Sequence, residues 1–120
     1  MKTCLMNETK KLKLLSSLEE ARSTRARLKG LLGKKEISPD FGLHITYFNS
    51  IHTFFMKFSI DVLFVDRSSR VIEWLVEVPP GRLVFPRWRA HSVIECAAGK
   101  VTQWEKAGWL EKGDILNVGH

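Results

Sequence analysis

The sequence predicts a mainly β (α+β) fold: a compact barrel-like or strongly bent antiparallel sheet, with one N-terminal helix and a short C-terminal helix. Three observations lead there. After Pro39 the apolar residues alternate with a period near two, and Phe, Ile, Val, Thr and Trp supply them, which is strand chemistry. Before Pro39, only the stretch 17–33 has helical spacing together with helix-end signals. The apolar runs are separated by short polar or Pro/Gly connections such as 66–70 and 79–81.

Residues 1–11 are polar and basic and read as a flexible terminus, leaving 12–120 as a single β-rich domain. Leu12, Leu14 and Leu15 supply a short first strand. Ser17 followed by Glu20 has capping-box spacing, in which hydroxyl and carboxylate each satisfy a free amide at a helix start. Leu18, Ala21, Leu28, Leu31 and Leu32 then fall mostly on one helical face, Arg25 interrupts the stripe, and Gly33 suits the left-handed C-terminal position. Strands are expected at 42–48, 51–58, 60–66, 70–78, 91–97 and 113–118. Asp66-Arg67-Ser68-Ser69-Arg70 reads as a hairpin connection, and Pro79-Pro80-Gly81 ends the strand before it because two prolines remove ladder donors. Residues 79–90 form an irregular loop, Gly99 to Lys106 a short helix bounded by Gly108, and Lys112-Gly113-Asp114 a turn into the last strand.

A length of 120 residues suits one domain, able to bury about two-thirds of its unfolded surface without disulfides. Cys4 and Cys96 make no CxxC pair, so a reducing compartment is the simpler expectation. Asp61 and Asp66 interrupt the longest apolar stretch, and no membrane span is expected. Asn7, Glu8, Lys10, Lys11 and Lys13 occupy the place of a signal peptide's apolar segment, which points to a cytoplasmic protein. The net charge of +6 is uneven: residues 1–35 hold ten Lys or Arg against three Glu, and residues 36–120 nine against ten acids. A basic end of this kind can be a solvated helix face or can meet nucleic acid, lipid or an acidic protein.

Neither GxSxG nor GxxxxGK[ST] occurs, which removes two common enzyme classes. His44, His52, His91 and His120 show no metal-binding spacing, so neither metal nor cofactor is expected. Two constellations remain. In 49–66 (NSIHTFFMKFSIDVLFVD), Lys57, Asp61 and His52 sit among aromatic and β-branched residues, where an ionisable group must pair, neutralise or serve a site. Alternation puts Ile60, Val62 and Phe64 on one face and Asp61 with Leu63 and Val65 on the other. Asp61 can be a structural pair with Lys57 at the bend Phe58-Ser59, or a ligand-orienting carboxylate or general base. The second constellation, Arg82 to His91, interleaves guanidinium groups with Phe85 and Trp88, which can grip an anion and stack on a planar group; its plainer reading is a loop folded onto the core. Cys96, in Val93-Ile94-Glu95-Cys96-Ala97, reads as a small buried hydrophobe.

RLKGLLGK at 27–34, GLHI at 42–45, NSIHTFFMKFSIDVLFVDR at 49–67, VPPGR at 78–82, AHSVIECAAG at 90–99 and GWLEKGDIL at 108–116 together resemble an uncharacterised bacterial and archaeal family, domain of unknown function 192. The resemblance covers about residues 14–118 and implies one mainly β domain with a barrel-like core, with no established reaction. Arg27, Gly30, Met56, Lys57, Asp61, Glu95, Gly99, Gly113 and Asp114 match the family pattern, and Cys96 stands where a leucine is usual.

The leading expectation is a non-enzymatic accessory domain, monomeric or weakly oligomeric, that binds a small anionic ligand or a protein. Its pocket is expected between 49–66 and 79–91, using His52, Lys57, Asp61, Arg87, Trp88, Arg89 and His91. The alternative is a small hydrolase or lyase using Asp61 with His52 or His91. Nucleic-acid binding by the basic helix and the arginine loop ranks third.

Overall fold

The computed structural model describes residues 3–21, 35–46, 51–53, 56–84 and 86–119, with backbone alone at Ile51 and His52. In chain order the described elements are β1 (Cys4–Asn7), β2 (Leu12–Leu15), β3 (Ser17–Ala21), β4 (Phe41–Thr46), β5 (Ile51–His52), β6 (Ile60–Val65), β7 (Val71–Val78), β8 (Leu83–Val84), β9 (Ser92–Ala97), α1 (Lys100–Lys106) and β10 (Leu116–Gly119). The main sheet has the order β3-β4-β9-β6-β7. Its pairings are antiparallel except β3 with β4, which run parallel. A three-stranded sheet, β10-β1-β2, and the short pair β5-β8 complete the described strands.

The main sheet separates two cores. Leu63, Val65, Ile94 and Cys96 face Leu5, Leu14, Leu15 and Leu116 of the three-stranded sheet, with Val101 and Trp104 of α1 beside them. Val62, Phe64, Val93, Leu43 and Ile45 face the other way, toward Met56, Val84 and Ala90. Every residue of β6 is buried because both faces are covered, so the apolar run Val62–Val65 is the expected pattern of a central strand. The two layers meet closely at Gly42, where a methyl group would lie 2.4 Å from Leu15 Cδ1.

Several expectations change. Among the described residues β3 and β7 are sheet edges and do not meet, so the sheet is not a closed barrel. Ser17 and Glu20 cap no helix: residues 17–21 are β3, whose Ser17 N–H is bonded to Asp40 O at 3.0 Å. The physical reason is that Leu18 and Ala21, which a helix would place on one face, each have a core of their own, one on either side of the sheet. The remainder of the expected helix, 22–34, lies outside the described residues. The N-terminal stretch read as loose contains β1, the middle strand of its sheet, with Leu5 and Asn7 both buried. Of the strand expected over 51–58, strand is described at 51–52; residues 54–55 lie outside the described residues, and the Met56 N–H is bonded to Thr53 O at 3.3 Å.

The connections follow expectation. Asp66 Oδ1 accepts the N–H groups of Ser68 and Arg70, each at 2.9 Å, closing the hairpin between β6 and β7. Helix α1 ends in a Schellman motif: Trp109 N–H donates to Trp104 O at 2.8 Å, Gly108 N–H to Glu105 O at 3.1 Å, and Gly108 takes φ 75°.

Candidate binding surface beside the β7 edge

The Arg82–His91 loop is anchored at both ends. At the first end, buried Thr53 donates its hydroxyl to Pro79 O at 2.6 Å and accepts the Arg82 N–H at 2.8 Å, while its carbonyl accepts the Gly81 N–H at 2.9 Å. At the second, Ala90 N–H closes a turn on Arg87 O and His91 N–H reaches Val65 O, both at 2.8 Å. Arg87 forms a bidentate pair with Glu73, Nε to Oε2 at 2.9 Å and Nη2 to Oε1 at 3.3 Å, and lies 5.0 Å from the Phe64 ring centre.

This scaffold leaves apolar groups in water. Trp88, at the tip of the turn, is 86% exposed, Leu83 60% and Val76 44%. Arg82 and Arg89 are exposed beside them. A shallow cavity of about 380 Å³ runs between Leu75, Val78, Arg82 and Leu83, and a second of about 180 Å³ between Ile72, Glu73, Trp88 and Arg89; Arg87 borders both. Among the described residues the wall opposite the loop is β7; of the 49–66 stretch that the sequence suggested, residues 49–50, 54–55 and the side chains of 51–52 lie outside the described residues.

The structure distributes the expected site residues differently. Arg87, Trp88 and Arg89 come together. Lys57 is exposed and the side chain of His52 lies outside the described residues. Asp61 is 0% exposed and is bonded to backbone, not to Lys57. Between the pairs Ile60–Val78 and Val62–Leu75, β7 carries one extra residue, and Glu77 takes φ 52°. That bulge turns the Glu77 N–H to Asp61 Oδ1 at 2.8 Å. Asp61 Oδ2 accepts Gly99 N–H at 3.1 Å and Val101 N–H at 2.9 Å, capping α1, whose own N-cap Gly99 has no side chain to do so.

Asp61 and His91 are not partners. Asp61 stands opposite Cys96, whereas His91 bonds Val65 four residues along β6, about 13 Å away at ordinary strand rise. His91 instead borders a cavity on the other side of the loop, together with His44. His44 Nδ1 lies 2.9 Å from Glu20 Oε2, a pair that a helical Glu20 would not form. Also unforeseen is a buried polar cluster in which Asn7 Nδ2 donates to Asp114 Oδ2 at 2.8 Å and to Trp109 O at 2.9 Å. Burial, reinforced by the nearby Asp61 carboxylate, pushes the Cys96 thiol well up, so it stays protonated and unreactive. Among the described residues no group of three or more His, Cys, Asp or Glu is arranged to hold a metal ion, and no helix is long and apolar enough to cross a membrane.

Two solved structures share the fold. A candidate transcription regulator from Sinorhizobium meliloti 1021 superposes with a TM-score of 0.76 at 18% identity, over 98% of this chain and 92% of that one. A protein of unknown function from Novosphingobium aromaticivorans DSM 12444 superposes with a TM-score of 0.74 at 17% identity, over 98% and 84%. In sequence, the chain is 37% identical to the UPF0127 protein PH1112 of Pyrococcus horikoshii over 101 residues, which is 79% of this chain and 84% of that protein. The model of domain of unknown function 192, described as an uncharacterised ACR, matches residues 5–117, and to that family this chain belongs.

Proposed function

We propose that this chain is a non-enzymatic binding domain that receives an extended acidic peptide segment of a protein partner along the outer edge of β7. The observation that carries this reading is the exposure of Trp88 on a loop anchored at both ends. A large aromatic held in water by a fixed backbone loses the hydrophobic contribution that burial would give, and such residues dominate binding energy at protein interfaces. The edge supplies the rest. From Ile72 to Val76, no described residue pairs with the outer side of β7, which leaves backbone groups open to an added strand. Charge selects the occupant: Glu73 is taken by Arg87, so Arg82 and Arg89 outweigh Glu77 and favour carboxylates on the incoming segment.

Panning a displayed library of extended peptides against the protein tests this. Enriched peptides should combine Asp or Glu with an aromatic or aliphatic residue, and should bind the Trp88→Ala variant at least about tenfold more weakly. Peptides that bind both proteins equally would overturn the assignment.

A further inference from the structure

We propose a second, separate site, for a small organic acid, in the cavity of about 220 Å³ between the main sheet and the three-stranded sheet. The cavity has two ends of different chemistry. Leu5, Ile94, Leu116 and Val118 give it an apolar floor, while Thr46, Ser92, His91 and Arg67 are among its polar residues.

The sheet register explains why the polar groups gather. Thr46 pairs with Ser92 and Ser92 with Val65, so the two hydroxyl residues stand side by side where β4, β9 and β6 end. Thr46 Oγ1 is buried and, among the described side chains, is the buried nitrogen or oxygen atom that has no hydrogen-bond partner. A buried hydroxyl without a partner is destabilising, and a ligand oxygen that the Thr46 side chain turned to meet would relieve that cost. Both neighbouring carboxylates are engaged, Asp66 with the Ser68 and Arg70 amides and Glu20 with His44. Arg67 makes no ion pair among the described residues. The donors therefore suit a carboxylate at one end and hydrocarbon at the other. A cavity of this volume suits a small ligand such as benzoate.

Amide-resolved NMR titration with benzoate, and with uncharged benzamide as its match in shape, tests the site. Benzoate should shift resonances around 44–46, 65–69, 91–94 and 116–118, and benzamide should bind at least about tenfold more weakly. Thr46→Val, which keeps the shape of the side chain, and Arg67→Gln, at an exposed position, should each weaken benzoate about tenfold. If Thr46→Val fails to fold, Arg67→Gln alone decides. Shifts elsewhere, equal binding of benzamide, or unchanged affinity in the folded variants would overturn the proposal. None of these results bears on the β7 edge, which has its own test.

Discussion

Asp61 and Trp88 are both out of place by ordinary residue preference, one a carboxylate sealed from water, the other an indole surrounded by it. Their surroundings differ in kind. Asp61 is satisfied by three amide hydrogens, from the β7 bulge and from the start of α1. Trp88 projects from its turn with 86% of its surface in solvent. A misplaced polar group with a full set of partners holds the fold; a misplaced apolar group without cover adds nothing to the fold and stays available to a partner.

Substitutions can break this contrast, beginning with the largest effect. Asp61→Ala should lower stability by about 3–5 kcal/mol in urea unfolding, because it orphans buried amides and uncaps α1 at once. Asp61→Asn, which retains one acceptor oxygen, should cost less. Asp114→Ala should cost about 2–3 kcal/mol by the same measurement, since it strands the buried Asn7 amide and the Glu111 N–H that Asp114 Oδ2 accepts at 2.9 Å. Cys96 gives a smaller, pH-dependent effect. Its folded pKa lies above the unfolded value of about 8.5, so its contribution is complete below that pH and declines as pH rises toward the folded value. Cys96→Ala should flatten stability profiles on the alkaline side, whereas an unchanged slope would assign the alkaline loss to other groups. Trp88→Ala should move the unfolding midpoint least, within about 0.5 kcal/mol, while weakening peptide capture at least about tenfold. A large loss of stability there would make Trp88 a packing residue and erase the contrast.

The central strands were legible because residues such as Val62, Phe64 and Val93 alternate against covered faces. The start of the chain was not. Leu18 and Ala21 have a spacing that suits one face of a helix and equally two opposite faces of a strand, and only the second core, far along the sequence, resolves the ambiguity. At the site, sequence grouped Asp61 with Lys57 and His91 because all three are ionisable and lie near apolar runs. Register separates them, and register depends on pairing partners that no local pattern encodes. One signal was available: α1 begins at Gly99 without a Ser, Thr, Asp or Asn cap, so a carboxylate from elsewhere was needed. The arginine and tryptophan loop was legible as composition, but its wall, β7, was not.

The pairing of β1 with β10, in which Cys4 lies opposite Gly119, sets an order in time. During synthesis β1 can meet β2 at once, yet a lone hairpin is barely stable in water. At about 5–20 residues per second, its outer edge waits on the order of ten seconds for β10, and Asn7 waits almost as long for Asp114. The nascent chain thus carries an open strand until β10 has been made. Until then the open strand is available to a chaperone or to a neighbouring copy.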